Sequence, residues 1–197
     1  DVITLGNHSF QRKEIYSYMD DNEFMVRPCN FPSPSTPGRG YCTVDMGRTS
    51  VTVINVMGQE FIDIRCENPY YAMDEILKKV DSKIIVVDMH AETTSEKKAM
   101  GYYLDGRVSA FFGTHTHVQT ADECILSGGT GYITDVGMTG PAESVLGVKK
   151  EIIINRFKTK LPERFENADG PCMVNCGLFD IDEKTGKTVN AERFDIR

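Results

Sequence analysis

The stretch KIIVVDMH, residues 83–90, decides the fold class because it contains the most apolar run of the chain and ends in a histidine. Residues 83–89 are few and rich in β-branched side chains, which is typical of a central strand. Thr93 and Glu96 form a capping box, which predicts a helix that runs to about Leu104. A buried strand followed at once by a helix indicates an α/β protein.

The alternation of strands and helices continues outward from this stretch. A loop is predicted over residues 27–40, where prolines and glycines cluster. Strands are predicted over residues 2–5, 41–46, 51–57, 108–112 and 131–135, with a terminal hairpin of 173–182 and 188–196. Helices are predicted over residues about 11–20, 69–80 and 150–158. This order predicts one α/β domain over residues 1–197, a layered sandwich with mixed β-sheets flanked by helices.

The composition excludes several classes of protein. Hydrophobic residues make up 40% of the 197 residues and charged residues 26%, which argues against disorder and coiled coil. The formal net charge of −7 comes without a basic stripe, so duplex nucleic acid is not an expected partner. No apolar run is long enough to cross a membrane, and a cytoplasmic location is expected. The six cysteines form no C-x-x-C pair and are expected to be reduced thiols.

All four histidines lie at or just beyond the carboxyl end of a predicted strand. His8 follows the first strand, His90 follows the apolar stretch, and His115 and His117 follow residues 108–112. Ligands bind at this edge of open α/β sheets because the loops that leave the strands meet there. Asn7 adds a neutral oxygen ligand beside His8. The pattern therefore predicts a site on one edge of the sheet.

Imidazole nitrogens with a carbonyl oxygen suit Fe, Mn, Zn or Ni better than Ca or Mg. His115 and His117 are separated by one residue, so an extended backbone is expected to point both rings to one side, toward a pair of ions. Each feature alone has an ordinary explanation, since Gly-Asn is common in turns and single histidines often follow strands. It is the conjunction of all four histidines that favours a metal site.

Three acidic residues near this edge leave alternatives open. Asp88 either orients a ligand imidazole or is a simple polar residue at a strand end. Glu92 and Asp135 either replace a carboxylate ligand or merely lie near the site.

Several motifs resemble those of a known family. Gly6-Asn7-His8, the strand that ends at His90, and the run Gly113-Thr114-His115-Thr116-His117 are similar to the later motifs of calcineurin-like binuclear metallophosphoesterases. Longer strings over residues 88–96, 103–120 and 132–140 closely resemble the bacterial YmdB-like branch, which comprises 2′,3′-cyclic-nucleotide 2′-phosphodiesterases. The similarity covers essentially the whole chain and implies a calcineurin-like metallophosphoesterase fold.

The resemblance implies a role for each candidate residue. Asn7, His90 and His115 would each ligate one metal ion, and His117 would bind the second. His8 would act as general acid toward the leaving ribose oxygen or as a hydrogen-bond donor to the developing charge. A hydroxide that bridges the two ions would attack the phosphorus. Opening the cyclic diester at the 2′ oxygen would leave a 3′-nucleotide.

The chain is expected to lack an opening segment, because it begins at Asp1, without Met, inside an apolar run. Members of the family carry Gly-Asp and Gly-Glu-Asn motifs ahead of Gly-Asn-His, and neither occurs here. The expected cofactors are two divalent transition metal ions, Fe or Mn before Zn or Ni, and the expected partner is a small phosphodiester. The alternatives are a phosphomonoesterase and a non-catalytic regulatory or scaffold protein. A homo-oligomer is left open.

Overall fold

Four helices and eleven strands make up the fold of residues 1–197, which a computed structural model describes in full. The helices are α1 (Ile15–Asp21), α2 (Pro69–Leu77), α3 (Thr94–Leu104) and α4 (Lys150–Thr159). The strands are β1 (Ile3–Thr4), β2 (Met25–Val26), β3 (Tyr41–Asp45), β4 (Ser50–Met57), β5 (Ile84–His90), β6 (Ala110–Thr114), β7 (Cys124–Ile125), β8 (Gly131–Ile133), β9 (Thr139–Pro141), β10 (Cys172–Ile181) and β11 (Thr188–Ile196).

A mixed six-stranded sheet forms the centre of the fold, with the strand order β3-β4-β5-β6-β8-β7. Strands β4, β5, β6 and β8 run parallel, and the edge strands β3 and β7 pair antiparallel with their neighbours. The apolar stretch is therefore an interior strand, as predicted. The register places Met57 beside His90 and His90 beside Thr114, so three parallel strands end on one edge.

Two capped helices cover one face of this sheet. Asn68 accepts a hydrogen bond from the Tyr70 amide at the start of α2, and Thr93 accepts one from the Glu96 amide at the start of α3. The helices bury Met73 and Met100 completely against the sheet. Each such side chain contributes about 1.5–3 kcal/mol when it leaves water, which holds the two layers together.

An antiparallel sheet of three strands, in the order β11-β10-β9, lies on the other face. Phe179 of β10 packs so closely on Gly131 that a Cβ there would stand 2.5 Å from the ring. The Thr188 hydroxyl donates a hydrogen bond of 2.7 Å to the Ser109 carbonyl and joins the two sheets. The predicted α/β fold, with mixed sheets flanked by helices, is confirmed.

The predicted segments agree with the structure in kind and differ mainly at their ends. Helix α1 begins four residues after the predicted start, and β6 lies two residues beyond its predicted position. Residues 27–40 form the predicted loop, which the Arg27 guanidinium holds through hydrogen bonds to four of its carbonyls. All six cysteines are free, as expected. None of the helices combines the length and the apolar character needed to span a membrane.

Candidate metal centre

Three of the predicted residues converge at the carboxyl edge of the sheet. The His90 Nε2 atom lies 3.0 Å from the Asn7 Oδ1 atom and 3.0 Å from the His115 Nδ1 atom. His90 ends β5 and His115 directly follows β6, its parallel neighbour. The two imidazole rings meet edge to face, with centroids 4.8 Å apart. The sheet thus brings together groups that are 83 and 25 residues apart in sequence.

A hydroxyl and a buried carboxylate fix the hydrogen on the His90 ring. The Thr114 hydroxyl donates a 2.8 Å hydrogen bond to Asp88, so the same oxygen accepts from the His90 Nδ1 atom at 3.0 Å. The neutral His90 ring therefore carries its hydrogen on Nδ1. Its Nε2 lone pair faces Asn7 and His115. Asp88 orients this imidazole, through Thr114, which is the first of the two alternatives left open.

A second carboxylate fixes the His115 ring. The His115 Nε2 atom lies 3.1 Å from a carboxylate oxygen of Glu92, which accepts its hydrogen. The Nδ1 atom of the neutral ring is left with a lone pair that points at His90. Glu92 therefore acts on the ring of His115 and takes no place among the converging atoms.

As a result, three atoms that carry lone pairs meet at His90 Nε2 with no hydrogen atom between them. Asn7 Oδ1, His90 Nε2 and His115 Nδ1 repel each other until a cation lies between them. Two donors about 2.1 Å from one ion stand about 3.0–3.4 Å apart, which matches the spacing seen here. Nowhere in the chain do three His, Cys, Asp or Glu side chains lie close enough together to hold a metal ion by themselves. The amide oxygen of Asn7 completes the set, and the set fits one divalent transition metal ion.

Burial keeps both converging histidines neutral. Burial, together with the smaller effects of His115, Lys97, His8 and His117, lowers the pKa of His90 to about 3. Burial also lowers the pKa of His115, although Glu92 opposes this shift. A neutral imidazole is the form that binds a metal. Near pH 7 both rings are therefore in the ligand form.

The packing of the His90 ring explains why a glycine precedes Asn7 in the sequence. The His90 ring lies directly against its backbone, and a Cβ at Gly6 would stand 2.4–2.6 Å from three ring atoms. Any side chain there would push the imidazole away from Asn7. The glycine thus serves the close approach of ring and backbone.

The loop that carries His115 and His117 differs from the prediction. Both residues have left-handed backbone, with φ of 99° at His115 and 62° at His117, so the predicted extended backbone is wrong. Such angles are costly outside glycine and persist only where the surroundings enforce them. The loop turns His115 toward His90, whereas His117 lines a cavity. His117 makes no hydrogen bond to the converging set.

A buried ion pair enforces this loop. The Asp135 carboxylate accepts hydrogen bonds from the Thr116 amide at 3.2 Å and the Thr116 hydroxyl at 2.7 Å. The same carboxylate lies 2.7 Å from the Lys97 Nζ atom, and both charged side chains are almost completely buried. Asp135 therefore holds Thr116, the residue between the two histidines.

His8 lies beside the convergence and does not join it. Its exposed side chain has Nδ1 2.7 Å from the Gln11 amide nitrogen, which donates to it. The hydrogen of the neutral His8 ring is therefore on Nε2. His8 is close enough for its charge to lower the pKa of His90.

Sequence reasoning missed two supporting residues. Thr114 lies between the glycine and the first histidine of Gly-Thr-His-Thr-His, and this place in the motif was the available signal. Lys97 gave no signal, because a lysine on a mostly polar helix is expected to be exposed.

The family model described as "YmdB-like protein" matches residues 1–194 of this chain. The chain belongs to this family. It is 48% identical over 195 residues to the 2′,3′-cyclic-nucleotide 2′-phosphodiesterase of Bacillus subtilis (strain 168). That alignment covers 98% of this chain and 73% of the relative.

Two solved structures share the fold over nearly the whole chain. A hypothetical protein of Thermus thermophilus is 39% identical, with a TM-score of 0.92 over 99% of this chain and 75% of that chain. A novel phosphatase of Mycoplasma pneumoniae is 34% identical, also with a TM-score of 0.92, over 99% of this chain and 71% of that one. The expected calcineurin-like fold is thereby confirmed.

Proposed function

We propose that this protein is a metal-dependent phosphodiesterase that hydrolyses 2′,3′-cyclic nucleotides. One observation carries the proposal: Asn7, His90 and His115 point three lone pairs at one place on the sheet edge. Such a place suits a cation that would also hold a phosphate. The substrate class follows from the name of the relative in Bacillus subtilis, which is 48% identical.

Asn7, His90 and His115 would hold one divalent ion, and His117 would take part in holding a second. The donor types favour Fe or Mn, with Zn or Ni next. When bound, such an ion polarises phosphoryl oxygens and makes water a stronger nucleophile. Thr114 and Glu92 keep the two imidazole rings aimed at the ion, because each holds the hydrogen on the far nitrogen.

His8 would move the proton in this reaction. Its Nε2 hydrogen faces away from Gln11 and is free to reach a substrate. As water adds to the phosphorus, the bond from phosphorus to the 2′ oxygen breaks. His8, with both ring nitrogens protonated, would donate the Nε2 proton to that oxygen, and the proton that the water loses would pass to solvent. The product is a 3′-nucleotide. The adjacent Asn7 places His8 next to the bound phosphate.

The same reasoning limits the partners. A net charge of −7 disfavours duplex nucleic acid, and a small phosphodiester is the proposed substrate. A cytoplasmic location and a single domain over residues 1–197 stay predictions.

The test is hydrolysis of 2′,3′-cyclic AMP by the purified protein with Mn²⁺ or Fe²⁺, before and after chelation. We expect 3′-AMP as product and loss of turnover in the chelator. The variant His90→Ala should lower bound metal and turnover together, and Arg12→Ala, an exposed change nearby, serves as its control. Turnover that survives exhaustive chelation contradicts the proposal.

A phosphomonoesterase is the second candidate, because the solved relative from Mycoplasma pneumoniae is described as a phosphatase. Turnover of p-nitrophenyl phosphate above that of bis-p-nitrophenyl phosphate would favour it. Absence of turnover on both substrates with either metal would favour the regulatory or scaffold alternative.

A further inference from the structure

A cavity of about 290 Å³ begins at His117, two residues beyond the converging His115. Its walls come from three parts of the chain: the loop after His117, residues 138–146, and the hairpin of β10 and β11. The volume is at the lower end of small-molecule pockets, which start at about 300 Å³. The cavity therefore fits one compact group beside the site.

The polar part of this wall is fixed in place. The Gln119 amide nitrogen lies 3.2–3.3 Å from the carbonyls of Val136, Cys176 and Phe194, which immobilise it. Its oxygen accepts a long hydrogen bond of 3.4 Å from Arg193. Asn175 accepts a hydrogen bond from the Met138 amide. These donors and acceptors are already ordered without a ligand.

Each arginine of the wall has an acidic partner. The Arg193 Nε atom lies 3.2 Å from a carboxylate oxygen of Glu123, and Arg197 pairs with Asp195 at 2.9 Å. The Glu123 oxygen has no hydrogen-bond donor, so its contact with Arg193 is an ion pair only. Both arginines of the wall are thus paired, Arg197 with Asp195 in the wall and Arg193 with Glu123 outside it, which leaves no unpaired cation to attract a second phosphate. The wall favours a group that is neutral and polar at its edges.

The apolar part of the wall comes from Val118, Met138, Leu146 and Met173. Methionine sulfur is polarizable and packs well against aromatic rings. The planar guanidinium of Arg193 also stacks on flat rings. A flat heteroaromatic ring with donors and acceptors on its edge matches all of these surfaces.

We propose that this cavity is a subsite for the nucleobase of the substrate. The inference rests on the proposed function, since the phosphate then lies at Asn7, His90 and His115 while the base extends past His117. Arg193 is the specificity-determining residue and contacts the base. The subsite makes the enzyme prefer nucleotides to cyclic phosphodiesters without a base.

The first experiment measures binding in the metal-free protein. The methionine methyl groups are labelled with carbon-13 and adenosine 3′-phosphate is added in the presence of a chelator. We expect NMR shift changes at Met138 and Met173 and none at Met46, which is exposed and does not line the cavity. Unchanged Met138 and Met173 signals, or the same changes with inorganic phosphate, overturn the proposal.

The second experiment compares two substrates in the metal-loaded protein, 2′,3′-cyclic AMP and the base-free 1-O-methylribose 2′,3′-cyclic phosphate. Arg193→Met should lower the ratio of their kcat/KM values about tenfold, mainly through the KM of the nucleotide. Arg48→Met, on the exposed turn between β3 and β4, is the matched control. An unchanged ratio overturns the subsite.

The two failures are distinguishable. Equal kcat/KM values for both substrates in the wild-type protein would remove the subsite and leave the phosphodiesterase in place. Absence of turnover on both substrates would remove the proposed function, while the methionine signals still decide whether a nucleotide binds in the cavity.

Discussion

The His115–His117 loop and the Gly6–His8 turn bring donors to the same point, but the chain holds them by different means. The loop follows β6, an interior strand, and is tied to the buried pair of Lys97 and Asp135. The turn follows β1, a strand of two residues that pairs only with the two residues of β2. One segment is fixed by the core, and the other is attached at the surface.

This difference separates two tasks. The fixed loop and strand β5 set the positions of the imidazoles before any ligand arrives, because their partners are buried. The Gly6–His8 turn supplies Asn7 and the proposed proton donor from a segment that follows a strand of only two residues. Changes in the loop should therefore affect folding, and changes in the turn should affect chemistry.

The largest expected effect is on the turn. His8→Ala should lower turnover of 2′,3′-cyclic AMP by about 10²–10⁴ while metal content and the free energy of unfolding stay close to wild type. His8→Gln keeps a polar side chain but has no proton to transfer, and it should be equally slow. Steady-state kinetics with metal analysis checks both. Rescue by Gln would mean that His8 donates a hydrogen bond and not a proton.

The next effect is on the loop. Asp135→Asn leaves Lys97 buried without its counter-charge, which should lower the free energy of unfolding by about 3–5 kcal/mol. Urea denaturation measures it, with the exposed Asp169→Asn as control. Replacing both partners by apolar residues should recover part of the loss. A change below about 1 kcal/mol for Asp135→Asn would show that the ion pair does not fix the loop.

Asp88 lies on the strand between the two regions, and we expect it to make the free energy of unfolding depend on pH. Burial raises its pKa to about 7 from an ordinary value of 3.8, so the folded state binds this proton more tightly than the unfolded state. The contribution of this proton to the free energy of unfolding is fully present below about pH 4. It is lost as the pH rises to about 7, and the loss is at most about 4 kcal/mol. Asp88→Asn should remove this loss.

Denaturation of the metal-free protein from pH 4 to pH 8 measures the effect, with the exposed Asp81→Asn as control. We expect Asp88→Asn to gain stability relative to wild type as the pH rises. Parallel pH profiles for the wild type and Asp88→Asn would contradict the assignment.

The smallest effect tests the contact that joins the two regions. Gly6→Ala pushes the His90 ring away from Asn7 and should weaken metal binding about 10–100-fold, with little change in stability. Gly177→Ala is the control, because a Cβ there meets its nearest neighbour at 3.5 Å. Calorimetric titration with Mn²⁺ checks the affinity. Equal affinities for the two variants would mean that the turn carries no ligand.

The fold was predictable where local signals are strong. The apolar run of β5 and the capping box of α3 place both elements within one residue of their observed bounds. Strand β6 was placed two residues too early, because the apolar residues stop at Phe112 while the pairing continues to Thr114. Strands of two or three residues, such as β2 and β9, are too short to show a periodicity.

The site was predictable in its members and not in its geometry. The carboxyl ends of β5 and β6 meet on one edge, which is why His90 and His115 gather as expected. The left-handed backbone of the loop depends on Asp135 and Lys97, which are 38 residues apart, and sequence patterns do not show such a contact. The hydrogen positions on the imidazoles likewise depend on partners from other segments.

The 4.8 Å between the His90 and His115 rings equals the distance between neighbouring strands of a sheet, which is about 4.7–4.9 Å. The backbone hydrogen bonds of β5 and β6 set the spacing of the strand ends, and the loop tied to Asp135 and Lys97 then turns the His115 ring toward His90. Inserting one residue into either strand, as a β-bulge does, is the kind of change that resets that spacing.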